Sequence, residues 1–175
     1  MRRRYYECEV KARLSDGLLE DILNKLADRG FKYTGRKRQV DIYLNHPCRD
    51  FGATDEALRV RVEGARAVLC YKGPRRPGGP VKERLEVEVG VSDCGRVLAI
   101  LEALGFREVA RVSKVREEYV RGDVRVCLDS IEGLGRFVEV EGPRDRVLEL
   151  VEELGIGDYV VDKTYLELLM SKDRA

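Results

Sequence analysis

The residues of this sequence whose types and spacing could do chemistry come as charged pairs two positions apart. They are Glu7 and Glu9, Arg59 and Arg61, Glu86 and Glu88, Lys114 and Arg116, and Glu139 and Glu141. On an extended strand such a pair lies on one face, about 7 Å apart. Lys11 continues the first pair, Lys72 closes an alternating stretch of its own, and Asp129 follows Arg125 in another. Facing carboxylates hold hard divalent cations through oxygen, while guanidinium and ammonium groups meet phosphate oxygens. The two sets together suit a polyanion that arrives with a divalent cation. Whether they act together depends on the elements that carry them.

Those elements are mostly strands. In YYECEVKARL, Tyr6, Cys8, Val10, Ala12 and Leu14 share one face, and Glu7, Glu9, Lys11 and Arg13 share the other. The same period of two predicts strands over 3–14, 32–45, 57–64, 66–73, 81–91, 107–121, 123–130 and 135–142. SDGLLEDILNKLADRG reads as an amphipathic helix capped by Ser15, and SDCGRVLAILEALG repeats it with Ser92. Further helices are expected over 144–154 and 163–171, and the Gly/Pro-rich run 73–80 reads as a mobile hairpin loop. An internal repeat joins the two halves: Glu7-x-Glu9 recurs as Glu86-x-Glu88, Ser15-Asp16 as Ser92-Asp93, Gly30-Phe31 as Gly105-Phe106, and Tyr43 as Tyr119.

For a single strand, the charged face is most simply a solvated one. The helices argue otherwise for the set. They need an apolar surface to pack on, and each strand offers only one. A closed antiparallel barrel with helices outside removes the sheet edges and turns the charges inward. Interior charges must then be paired or hold a ligand.

Composition sets the bounds. The chain has 175 residues with 43% apolar content, enough for one hydrophobic core. Charged residues reach 37% but nearly cancel, to a net charge of +1, so neither nucleic acid nor an anionic membrane is an expected partner. With no apolar run of spanning length and no signal-like start, the chain reads as cytoplasmic. The cysteines at 8, 48, 70, 94 and 127 form no C-x-x-C pair, and His46 is the lone histidine. Zinc, disulfide and His-dependent nucleophilic chemistry are therefore set aside.

The order of the motifs resembles the CYTH superfamily of triphosphate tunnel metalloenzymes. Glu7-x-Glu9-x-Lys11 is similar to its E-x-E-x-K signature, followed by Leu58-Arg59-x-Arg61, Tyr71-Lys72-Gly73, Glu86-x-Glu88, Lys114-x-Arg116, Asp129, Glu139-x-Glu141 and Lys163-x-Tyr165. DIYLNHPCRDFGATDEALRVR and LCYKGP resemble most the class IV adenylyl cyclase (CyaB-like) branch. The resemblance implies a single α+β domain over 1–175: a closed eight-stranded antiparallel tunnel, two pseudo-repeated halves, and a monomer or homodimer.

It also implies Mg2+ or Mn2+ held by Glu7, Glu9, Glu139 and Glu141, with Glu86, Glu88 and Asp129 as further candidates. Lys11, Arg59, Arg61, Lys72, Lys114, Arg116 and Lys163 are implied triphosphate ligands, and Lys11, Lys72, Lys114 and Asp129 the catalytic set. Lys163 and Tyr165 would close the tunnel mouth, with Arg13, Arg84, Glu118 and Arg125 supporting. The implied substrate is ATP, cyclised to cyclic AMP and pyrophosphate. Thiamine triphosphate or tripolyphosphate hydrolysis is the alternative, and a non-catalytic nucleotide or polyphosphate binder is the alternative of another class.

Overall fold

Alternation sorts the side chains as the sequence predicts. In the computed structural model, which describes residues 6–77 and 81–172, Val10, Ala12 and Leu14 of β1 (Tyr6–Leu14) are buried in an apolar cluster. Lys11 and Glu9 are buried too, on the opposite face. The elements follow as α1 (Asp16–Asp28), β2 (Lys32–Asn45), β3 (Ala57–Glu63), β4 (Arg66–Lys72), β5 (Lys82–Val91), α2 (Cys94–Ala103), β6 (Arg107–Arg121), β7 (Val124–Ile131), β8 (Gly135–Glu141), α3 (Arg144–Leu154), a 3-10 turn (Gly157–Tyr159) and α4 (Tyr165–Lys172). The eight antiparallel strands close as a barrel in the order β1-β5-β4-β3-β2-β6-β7-β8. The order strand, helix, three strands occurs twice, as the internal repeat predicts.

Described residues group into two compact units, one holding Tyr6, 38–77 and 83–113, the other 7–37, 81–82 and 114–172. Each has its own buried apolar cluster. In the first, Leu44, Leu58, Val60 and Ala67 meet Leu101 of α2. In the second, alternate residues of β1, β7 and β8 meet Ile22 and Leu26 of α1 and Val147, Leu150, Val151 and Leu154 of α3. The expected single core is thus divided. With charge on the inner face, apolar burial gathers where helices cover the outer face.

Local signals explain the ends of the helices. The Ser15 hydroxyl accepts from the Leu18 N–H at 3.4 Å, and Gly30 reverses the chain at φ +72°. In α2 the cap is Asp93 rather than Ser92: its carboxylate accepts from the Arg96 N–H at 2.9 Å, and the helix starts one residue later than the repeat implies. Strand residues 3–5 and loop residues 78–80 lie outside the described residues. The described part of that loop is tethered, with the Gly73 N–H donating to Leu85 O and the Arg76 N–H to Glu83 O, each at 2.8 Å.

Leu154 is fully buried between α1, α3 and the strands of its unit. Leu154→Ala is expected to cost about 2–5 kcal/mol through lost transfer energy and the cavity left behind. Urea denaturation followed by circular dichroism measures it, and a loss below about 1 kcal/mol would show that this contact is not core packing.

Candidate functional site

Register places the charged pairs. Between β1 and β8, Glu9 lies opposite Glu141 and Lys11 opposite Glu139; between β6 and β7, Arg116 lies opposite Asp129. Arg116 clasps Asp129 with Nε at 2.7 Å and a terminal nitrogen at 2.6 Å, and it also donates to Glu139. Lys114 reaches Asp129 at 3.3 Å, and Lys11 reaches Glu139 at 3.2 Å. The Tyr165 hydroxyl donates to Asp129 at 2.9 Å. These groups are nearly inaccessible, so their charges persist only because each is paired. Burial disfavours the Asp129 carboxylate, but Lys114 and Arg116 outweigh it and hold its pKa below the ordinary range.

Glu7, Glu9 and Glu141 form a different arrangement in the same unit. One carboxylate oxygen from each lies within 4.8 Å of the others. Burial, then Glu7, Glu139 and Glu9, push the Glu141 pKa up to about 7 against the opposing pull of Arg116. Three oxygen donors in mutual repulsion fit a hard divalent cation such as Mg2+ or Mn2+. Glu139, also expected as a ligand, is ion-paired with Lys11 and Arg116. An open pocket of about 280 Å3 borders Glu141, with Val120, Gly122 and Arg125 in its wall.

The other unit carries a second charge cluster, partly buried. Asp41, wholly inaccessible, accepts from Arg61 at 2.7 and 3.0 Å and from Arg59 at 3.4 Å. Lys72 pairs with Glu86 at 3.0 Å, and Arg59 approaches Glu86 at 3.8 Å and Glu88 at 3.9 Å. Glu86 and Glu88 therefore stand beside bases. With the Cys70 thiol they also place ligand atoms within 4.8 Å of one another. That thiol donates to Glu86 at 3.1 Å, and burial raises its pKa far above the ordinary thiol value. Cys127, opposite Glu139 on β7 and β8, is raised in the same way. The Arg59 Nε is buried without a hydrogen-bond partner.

Asp41 escapes a reading of charged pairs because its neighbours on β2 are not charged like it. The signal lies in the repeat: an offset of 75, the one that relates Gly30 to Gly105, carries Asp41 onto Arg116. Asp41 faces Arg61 as Arg116 faces Asp129, with the signs exchanged. The proposed match of Tyr43 with Tyr119 is one residue out of step. Tyr43 lies opposite Arg59 on the charged face, whereas Tyr119 lies opposite Val126 and packs on the apolar cluster.

Other expected site residues fall elsewhere. Lys163 is not brought to either cluster; it is exposed and donates to Ser171 Oγ at 3.1 Å. Arg84 is buried but grips backbone, donating to Gly73 O at 2.7 Å and Asp55 O at 3.0 Å. Arg13 lies over the Phe137 ring at 4.8 Å, Glu118 meets Lys37 at 3.4 Å, and Arg125 meets Glu141 at 3.4 Å. His46 accepts from the Cys48 N–H through Nδ1 and approaches Leu104 O through Nε2 at 3.2 Å, a loop-pinning role. Among the described residues, no helix is long and apolar enough to cross a membrane.

Comparison with known proteins gives the family and the fold. The CYTH domain profile matches residues 5–165. A Methanocaldococcus jannaschii protein whose name proposes adenylate cyclase activity is 38% identical over 173 residues, covering 93% of this chain and 97% of its own length. The solved structure of protein PH1819 from Pyrococcus horikoshii shares 36% identity with a TM-score of 0.79, over 95% of this chain and 99% of that one. A Hippeastrum protein with an adenylyl cyclase name and a described dominant triphosphatase activity shares the fold at 22% identity and a TM-score of 0.74, over 95% and 96% of the two chains.

Two expectations follow from the charges. A carboxyl whose native pKa of about 7 exceeds its unfolded value of about 4.3 holds an extra proton when folded. Its stabilising effect is full below that unfolded value and is lost as pH rises through the native one. A divalent ion displaces that proton, so Mn2+ affinity should climb with pH up to about 7, by at most tenfold per unit, and then level off. Calorimetry at stepped pH checks this; a flat profile would exclude Glu141 as a titrating ligand. Asp41→Ala should cost about 3–5 kcal/mol in chemical denaturation, because Arg61 and Arg59 would be left buried beside a lost partner.

Proposed function

The chain belongs to the CYTH domain family, and on that premise we propose that it is a metal-dependent enzyme acting on a small-molecule triphosphate. The observation that carries the reading is one compact unit that holds both a carboxylate triad fit for a hard cation and a lysine–arginine cluster fit for phosphate oxygens. When bound at Glu7, Glu9 and Glu141, Mg2+ or Mn2+ would neutralise phosphate charge and polarise phosphorus for attack.

The chain's own groups do the rest. Lys11 and Lys114 present ammonium groups to phosphate oxygens, and Asp129 fixes Arg116, which also reaches Glu141 of the triad at 3.6 Å. In the other unit Arg59 and Lys72 offer the same recognition, and Asp41 steadies the Arg59–Arg61 pair. No side chain acts as a nucleophile. Phosphoryl chemistry of this kind rests on positioning and charge stabilisation.

The finer reading is ATP cyclisation. The ribose 3′-hydroxyl oxygen bonds to the α-phosphorus, the bond from that phosphorus to the bridging oxygen breaks, pyrophosphate leaves, and the hydroxyl proton passes to solvent. The cyclase-named archaeal relative supports it. Hydrolysis of the terminal phosphate uses the same groups with water as nucleophile. The activity described for the Hippeastrum neighbour keeps that second reading in play.

Purified protein incubated separately with ATP, thiamine triphosphate and tripolyphosphate, with Mg2+ and then Mn2+, distinguishes them by chromatography of products. Cyclic AMP with equimolar pyrophosphate is the expected result. Phosphate release alone would establish the triphosphatase instead, and tight binding without turnover would make the chain a sensor. Glu9→Ala should lower turnover by a factor of about 100 or more while leaving the fold intact. Turnover undiminished in excess EDTA would refute the metal role.

A further inference from the structure

Tyr165 opens α4, well separated in sequence from the strands that carry the charge, yet it is almost inaccessible and touches the β1/β6/β7 cluster on several sides. Its ring face lies 4.0 Å from the Lys11 Nζ and 5.2 Å from the Lys114 Nζ. The ring also meets Phe137 edge-on at 5.2 Å, and its hydroxyl donates to Asp129 at 2.9 Å. One side chain therefore contacts two bases by cation–π attraction and steadies the carboxylate that clasps a third, Arg116. Burial and the neighbouring carboxylates Glu139 and Asp129 keep its phenol protonated, so it stays a donor.

The preceding segment explains how the ring is delivered. Val160 bridges Ala12, and the Val161 N–H donates to Lys11 O at 2.8 Å, laying the chain against β1. Lys82, another buried base, donates to Val161 O at 3.2 Å, so its ammonium pins this strap. Thr164 and Glu167 then form a reciprocal capping box, with distances of 2.6 and 3.2 Å, that fixes the first turn of α4 and the direction of Tyr165.

We propose that Tyr165 is a positioning residue: strap and helix hold it as an aromatic clamp that keeps Lys11, Lys114 and Asp129 in their phosphate-receiving arrangement. This rests on the triphosphate reading for its consequence, but the clamp itself is a property of the chain alone. Ring and hydroxyl are separable, since Tyr165→Phe keeps the ring over the lysines and removes only the bond to Asp129, whereas Tyr165→Leu removes both.

The test has two readouts. In protein labelled with 13C at lysine Cε, with Lys11→Arg and Lys114→Arg used for assignment, the signals of both lysines should be shifted upfield by the ring. That shift should survive Tyr165→Phe and vanish in Tyr165→Leu. Calorimetric binding of tripolyphosphate with Mg2+ should weaken about tenfold in Tyr165→Leu, with Tyr165→Phe recovering part of the loss. Lysine signals indifferent to Tyr165→Leu, or binding unchanged per folded molecule, would overturn the proposal. Should Tyr165→Leu not fold, Tyr165→Phe carries the test: loss of the lysine ring shift there, or a tripolyphosphate affinity equal to that of the wild type, would overturn the proposal. If the wild type binds none of the triphosphates while its lysine signals show the ring, the functional reading fails and the clamp stands.

Discussion

Everything in this protein depends on neutralising charge that has been taken out of water. A lone buried carboxylate or ammonium is prohibitive, and a buried pair holds only with good geometry and further hydrogen bonds. The inner faces meet that condition in the same way in each unit. Asp41 steadies Arg59 and Arg61, and Asp129 steadies Lys114 and Arg116. Each aspartate holds two bases in place before any ligand arrives, which is the preorganisation that electrostatic catalysis requires.

The carboxylate triad is the exception that gives the pattern direction. Glu7, Glu9 and Glu141 bring three acids together, with Arg116 and Arg125 reaching Glu141 at 3.6 and 3.4 Å. Acid crowded against acid repels, and a divalent cation relieves that repulsion. On the proposed reading, bases held at fixed positions beside such a triad suit a metal–polyphosphate better than either component alone. The apolar residues take no part in this. They turn to the helices, and their burial supplies the stability that interior charge does not.

Much of this was legible in the sequence, because alternation is a local property. The strands over 32–45 and 107–121 and the helix over 144–154 match the structure to the residue, and the face carrying Glu9, Lys11, Lys114 and Arg116 was readable from parity. Pairing was harder to read, because register is non-local. Glu139 and Glu141 read alike in the sequence until β1 sets Lys11 opposite the first and Glu9 opposite the second. Asp41 stands alone on its strand until β3 brings Arg61 across. The one-residue slip that paired Tyr43 with Tyr119 shows the cost of missing it, since at a period of two such an error moves a side chain to the other face. Lys163 shares a motif with Tyr165, yet two residues at the start of a helix point in different directions, and only the tyrosine is directed inward.

The thiols on the charged faces give the molecule a property unrelated to its ligands. Cys70 and Cys127 are almost inaccessible, and burial keeps both protonated, whereas Cys48 is exposed. A thiol reacts with alkylating agents as its thiolate, so the two interior sulfurs are chemically silent while the strands stay closed. They fall silent in different compact units. Each is therefore a built-in clock for the opening of its own region, and the order in which they acquire label would reveal which part of the sheet breathes first.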